Sequence, residues 1–285
     1  MSGIKIREVT KVYKDTKALD HVSVQFEEGK IYALLGRNGA GKSTLLNIIS
    51  NRIFSDQGEV LVDGKDAREN DQVQQNIYLM SEQTLYPAGM KIQQAFRWSK
   101  DFYPKFDMDY AMELAKMFGL NTKKKVRALS TGYKSIFKLI IALSVNVPYL
   151  FLDEPVLGLD ANHREMFYRI LLEKYMEAPF TIVISTHLIE EIASVIEHVV
   201  ILKEGRVIKD CATEELLAGG YRISGKKETV DTWIQGEDVI GTEMLGTMKT
   251  AYVIGSSKAK WKEAPEELEI AKLDLQKMFI RMTNR

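Results

Sequence analysis

Residues 36 to 44 read Gly-Arg-Asn-Gly-Ala-Gly-Lys-Ser-Thr, which matches the pattern G-x-x-x-x-G-K-S. Three glycines, a lysine and two hydroxyls at this spacing suit one task, the grip on a polyphosphate. Gly36, Gly39 and Gly41 let the backbone turn and come close, so that its N–H groups, with those of Asn38, Ala40 and Thr44, can ring the phosphate oxygens. Lys42 is then placed to reach the β- and γ-phosphates, and the Ser43 hydroxyl to take one position on Mg²⁺. The flanks supply what such a loop needs. The apolar run Ile31-Tyr32-Ala33-Leu34-Leu35 predicts a strand before it, and Leu45-Leu46-Asn47-Ile48-Ile49 a helix after it. A helix start adds its dipole to the attraction for anions.

Further along, Tyr149-Leu150-Phe151-Leu152-Asp153-Glu154 predicts an apolar strand ending in two acids. Side chains alternate across a strand, so Asp153 and Glu154 face opposite ways, one toward a metal and the other toward an attacking water. By itself the pair is also compatible with two acids at a strand end before the turn at Pro155. Leu129-Ser130-Thr131-Gly132-Tyr133 lies about twenty residues upstream, and Leu157-Gly158-Leu159-Asp160 follows at once. Ser-Thr-Gly could simply cap the amphipathic helix that follows it, a role compatible with a ligand contact.

In their order these motifs resemble the ATP-binding cassette family over roughly residues 3 to 220. The resemblance implies a P-loop nucleotide hydrolase that uses ATP and Mg²⁺. It implies that Leu129 to Tyr133 is the signature aimed at nucleotide held by a second subunit, with Ser130 and Gly132 matching the family and Thr131 and Tyr133 departing from it. It further implies Gln83 as a sensor of Mg²⁺ and water, His187 as the switch histidine on the γ-phosphate, Tyr13 as the ring stacked on adenine, and Asp160 as part of the nucleotide-facing loop. The implied metal set is Ser43, Gln83 and Asp153, and the implied catalytic set Glu154, His187, Lys42 and Gln83.

The whole chain sets limits on other functions. Lys plus Arg and Asp plus Glu each number 39 in 285 residues, so there is no basic surplus to argue for nucleic acid, and the cluster Lys123-Lys124-Lys125 with Arg127 reads as a solvated turn. The single cysteine, Cys211, cannot close an internal disulfide, which fits a reducing compartment. The four histidines lack metal-ligand spacing. The N-terminus has no secretory apolar core, and the longest apolar stretch, Leu139 to Leu152, is too short to span a bilayer. Any membrane channel is therefore expected in another chain, with this one peripheral on the cytoplasmic face.

The expected fold is α/β, with a parallel core sheet, an antiparallel β layer, a helical subdomain and a small C-terminal α+β appendix. Ile4 to Thr10, Val22 to Phe26 and Glu59 to Val62 predict the antiparallel strands. A helical subdomain is expected at about 84 to 146, where Ile92, Ala95, Phe96 and Ser99 share one helix face and Ala111, Leu114, Ala115 and Phe118 another. Of its dense aromatics, some are expected in a groove for a membrane subunit. The cassette is expected over 1 to 219, ending near Gly219-Gly220, and the appendix over 220 to 285. Within it Tyr221 to Ser224 and Thr250 to Ile254 predict strands, and a helical pattern from Pro265 puts Leu268, Ala271, Leu275, Met278, Phe279 and Met282 on one side.

The sequence thus points to the ATPase subunit of an exporter, working as a pair of like or paralogous subunits around two Mg-ATP. The chain resembles bacterial drug- and peptide-exporter ATPases, and within these Phe102-Tyr103-Pro104 resembles Gram-positive systems, including phenol-soluble modulin exporters. Two alternatives stay open at this level: a non-transport cassette ATPase acting on ribosomes or DNA, and a regulatory nucleotide-binding module.

Overall fold

A computed structural model describes residues 2–255 and 264–284. In chain order it begins with β1 (Gly3–Tyr13), β2 (Thr16–Glu27), β3 (Ile31–Gly36), α1 (Lys42–Ile49), β4 (Gln57–Val62), β5 (Lys65–Asp66), α2 (Asp71–Gln74) and β6 (Ile77–Met80). Three helices follow, α3 (Ile92–Phe102), α4 (Met108–Met117) and α5 (Thr131–Ser144). Next come β7 (Tyr149–Asp153), α6 (Ala161–Glu177), β8 (Thr181–Ser185), α7 (Ile189–Ile192), β9 (His198–Lys203), β10 (Arg206–Ala212) and α8 (Thr213–Ala218). The chain closes with β11 (Tyr221–Lys226), α9 (Lys227–Trp233), β12 (Asp238–Leu245), β13 (Met248–Ile254), β14 (Glu269–Lys272) and α10 (Leu275–Asn284).

The central sheet runs β10-β9-β3-β8-β7-β6, parallel except for the β9–β10 hairpin. Its inner strands are apolar almost throughout because both faces are covered. Alternation along β3 makes the division visible. Tyr32 and Leu34 enter one core with β1, β2, β4 and α1, while Ile31, Ala33 and Leu35 enter the other with the helices. The first core lies under the antiparallel sheet β2-β1-β4-β5, whose strands β1 and β2 run longer than the sequence pattern suggested. β-Bulges carry their pairing past the polar positions that ended the alternation.

On the second face, α3 buries Ile92, Ala95, Phe96 and Ser99, and α4 buries Ala111, Leu114 and Ala115, the faces expected from their spacing. Phe137 on α5 stacks on Phe96 at 6.0 Å between centroids and meets Tyr86 edge-on at 5.3 Å. These contacts lock the helices to one another.

The appendix sheet has the order β12-β13-β11-β14, and Gly219-Gly220 immediately precedes β11. One expectation fails here. Leu268 and Ala271 do not lie on a helix with Met278; residues 269–272 form β14, paired antiparallel with β11 from Tyr221↔Lys272 to Ser224↔Glu269. Backbone pairing to a distant strand outweighs the local helical spacing, and the helix starts only at Leu275.

Truncating Phe137 to Ala removes a fully buried ring shared by two helices and should cost about 3–5 kcal/mol of unfolding free energy, read from urea denaturation.

Candidate nucleotide site

The carboxyl ends of the parallel strands converge on one edge, where open α/β sheets bind ligands. β3 delivers the phosphate loop, β7 the acids, and β8, lying between them, Thr186 and His187. The loop has the backbone its glycines foretold. Gly39 and Gly41 have φ of 82° and 103°, and a Cβ on Gly41 would stand 2.5 Å from the Ala18 carbonyl oxygen. Gly41 is the N-cap of α1, so the first turn of that helix faces the loop.

Across this edge the Ser43 hydroxyl donates to Asp153 Oδ2 at 2.9 Å, joining residues from α1 and β7. Asp153 is buried. Lys42 Nζ donates to the Gly36 carbonyl at 2.6 Å, which keeps the ammonium on the loop. Burial pushes its pKa below the ordinary lysine value, opposed by the charges of Glu154 and Asp153.

Glu154 adopts a left-handed φ of 48°, a strained conformation for a residue with a Cβ. Its N–H bonds the Ser185 carbonyl at 2.7 Å, so the turn is held by the neighbouring strand. Glu154 lies beyond the end of β7, so the turn rather than strand alternation sets its direction, and its carboxylate has other partners than Asp153. Glu154 Oε2 accepts from Thr186 Oγ1 at 3.2 Å and lies 2.9 Å from His187 Nδ1. His187 is largely exposed at the edge.

A cleft of about 390 Å³ contains Arg37 to Thr44, Asp153, Glu154 and Tyr13. Tyr13 is half-exposed near the end of the β1–β2 hairpin, with Lys11 Nζ 5.6 Å from its ring centroid. Gln83 lies elsewhere. Its neighbour Glu82 lines this cleft, whereas Gln83 lines an adjoining groove of about 370 Å³ with Arg52, Tyr86, Trp98, Phe102 and Lys138. The segment is held by backbone acceptors, with Lys138 Nζ donating to the Ser81 and Glu82 carbonyls at 2.9 and 2.8 Å. Arg52 reinforces it through the Ser81 hydroxyl at 2.9 Å.

Ser130, Gly132 and Asp160 are not among the residues lining the cleft either. Ser130 is exposed and caps α5 by accepting from the Tyr133 N–H at 3.3 Å. A Cβ on Gly132 would stand 2.8 Å from the Gly158 carbonyl oxygen, and Ser135 Oγ donates to the Leu157 carbonyl at 2.7 Å. The start of α5 and the 157–160 loop therefore form one unit. Asp160 caps α6, accepting from the His163 N–H at 2.9 Å, and that hydrogen bond, with the His163 ring, holds its carboxyl below the usual carboxylate range.

Thr186, Lys138 and Arg52 escaped the sequence reading. Lys138 carried a signal, as a lone cation within the apolar run Ile136 to Ile140 of an amphipathic helix. Thr186 and Arg52 carried none, because their partners come from strands distant in sequence.

The fit of a magnesium ion rests on the donor set. Ser43 and Asp153 offer hard oxygens side by side, the few protein ligands Mg²⁺ takes when phosphates and water supply the rest. Among the described residues no group of three or more His, Cys, Asp or Glu is placed to hold a metal without such help.

Fold and site together define a P-loop nucleotide hydrolase. A family model described as ABC transporter matches residues 19–157. The ABC transporter ATP-binding protein YtrB of Bacillus subtilis (strain 168) is 30% identical over 278 residues, covering 93% of this chain and 95% of that protein. The bacitracin transport ATP-binding protein BcrA of Bacillus licheniformis is 29% identical over 216 residues, covering 75% and 71%. An ATP-binding cassette solved as a dimer in a post-hydrolysis state with ADP and Pi superposes with a TM-score of 0.67 at 26% identity, covering 74% of this chain and 98% of that one. The chain belongs to the ABC transporter ATP-binding family and is an ABC ATPase. Among the described residues no helix is long and apolar enough to cross a membrane.

Gly132→Ala should separate α5 from the 157–160 loop. ATPase turnover is expected to fall by about tenfold or more, the scale for a displaced positioning element, with ATP binding at the phosphate loop retained. Phosphate release and equilibrium ATP binding on the same preparation check this.

Proposed function

We propose that this chain hydrolyses ATP as one of two subunits closing around two Mg-ATP, and that it drives a separate membrane subunit in export. The observation that supports it most is the pairing of Ser43 with Asp153 beside the Glu154–Thr186–His187 cluster on one sheet edge. Ser43 and Asp153 would hold Mg²⁺, which when bound neutralises charge on the β- and γ-phosphate oxygens. Lys42 and the loop N–H groups fix the phosphates, and Tyr13 gives the adenine a stacking face. Glu154 takes the role of general base or water-orienting group. His187 and Thr186 hold its Oε2, so that the carboxylate keeps a fixed direction toward the water.

The site needs a second copy in this reading. Ser130 and Gly132 do not line the cleft; they stand at the start of α5, a helix N-terminus that suits a phosphate held by another chain. Asp160 follows Gly158, whose carbonyl oxygen packs at Gly132. Closure of the pair then completes each site, and hydrolysis resets it.

The membrane subunit is assigned to the groove of about 370 Å³ beside the cleft. Trp98 and Phe102 stand 45% and 68% exposed at its rim, while Tyr103 packs inward with its hydroxyl on the Ile77 carbonyl at 3.2 Å. Gln83 lines this groove and is next in sequence to Glu82, which lines the cleft, so docking in the groove would be felt at the cleft through this segment. This would make the chain peripheral, held at the cytoplasmic face through its partner. The outward direction is supported by Phe102-Tyr103-Pro104 and its likeness to peptide exporters. A methionine import ATP-binding protein of Clostridium tetani matches at 28% identity over 249 residues, so direction is a property to be read with the membrane subunit present.

Glu154→Gln preserves shape and removes the carboxylate charge. It should retain ATP binding and lose turnover by ~10²-fold or more. Binding and phosphate release are measured together, alone and with the membrane subunit in vesicles. Unchanged phosphate release would remove Glu154 from its role, and accumulation of peptide on the ATP-free side only for the parent chain would support export.

A further inference from the structure

The appendix carries two distinct sets of buried apolar residues. Tyr221, Ile223, Val230, Ile234, Ala251 and Val253 close its own small core. Leu275, Met278 and Met282 of α10 do not join it; they belong to the main core of the cassette. The helix, together with Ile240, Tyr252, Ile254 and Leu273, therefore joins the appendix to the ATPase body.

Besides β12 of the appendix sheet, α10 is in contact with α7, whose Ile189 and Ile192 are buried in the same core. α7 is four residues long and has no side-chain cap, so it cannot hold its own position. Tertiary contacts must set it. On one side Arg164 of α6 donates to Glu191 Oε1 at 2.7 Å and to the Leu159 carbonyl at 2.9 Å. On another side lies α10. The same helix ends on the nucleotide side of the molecule, where Thr283 shares a crevice of about 220 Å³ with Arg37 to Ala40.

α7 begins two residues after His187, and the Leu188 N–H is bonded to Thr186 Oγ1 at 3.1 Å. Thr186 and His187 are the groups that hold Glu154 Oε2. We propose that α10 is a positioning element for hydrolysis, its buried face centred on the fully buried Met278, seating the segment that presents Thr186 and His187 to Glu154. The appendix then acts on turnover without touching nucleotide. This rests on the assignment of Glu154 and His187 to hydrolysis made above.

The test compares Met278→Ala, Met278→Leu and Gly220→Ala in the full chain, each with and without His187→Ala. Gly220 leaves room for Met278, since a Cβ there would stand 1.8 Å from Met278 Cε, so Gly220→Ala displaces the methionine without opening a cavity. Met278→Ala should lower kcat by about tenfold or more, with equilibrium ATP binding within about threefold of the parent. Met278→Leu, close in volume, should restore most of the activity. In the His187→Ala background the same changes should add less than about twofold, because both act through one arrangement. If Met278→Ala does not fold, Gly220→Ala carries the same readouts. Full additivity with His187→Ala, or an unchanged kcat in Gly220→Ala and Met278→Ala, overturns the positioning role alone. An unchanged kcat in His187→Ala by itself overturns the assignment of His187 and the proposal with it.

Discussion

The hydrogen bond from Ser43 to Asp153 ties together the two parts of the chain that the function cannot separate. One partner sits at the start of α1, the other at the end of β7, and β8 lies between their strands. For the hydroxyl and carboxylate to meet, β3, β8 and β7 must be parallel and in register, with Asp153 opposite Ser185. The two cores on either side of the sheet serve that requirement. They bury both faces of each strand, which fixes how far its carboxyl end projects.

The same geometry sets the neighbouring chemistry. Once Asp153 is turned toward Ser43, Glu154 must leave the sheet, and it does so through a left-handed turn pinned by Ser185. That turn is strained, and it is offset by the bonds from Thr186 and His187 to the carboxylate. Glu154 is thus aimed by strand pairing and by the segment following β8, not by residues near it in sequence.

Much of this was legible in the sequence where the signal was local. The phosphate loop declared itself by its glycines between a strand and a helix, and the α3 and α4 faces by their spacing. Strand alternation foretold different directions for Asp153 and Glu154, but β7 ends at Asp153 and it is a left-handed turn that sets where Glu154 goes. What the sequence concealed was long-range. Gln83 and Glu82 differ by one position, and only the fold, through Lys138 and Arg52, decides which of them lines the cleft. Residues 269–272 carried a helical spacing and became a strand because β11 offered an edge. The burial of Met278 and Met282 in the main core left no trace in their own segment beyond an apolar face.

The central claim is that each chain holds two separate halves of a site, the cleft with Lys42 and the surface with Ser130. Lys42→Ala should disable the cleft of its own chain, and Ser130→Ala the cleft of its partner. Mixed dimers, verified by two affinity tags, would contain one intact composite site and one doubly damaged site. The account predicts that ATPase activity reappears in these mixed dimers while each parent variant stays inactive. Mixed dimers as inactive as either parent would contradict independent composite sites.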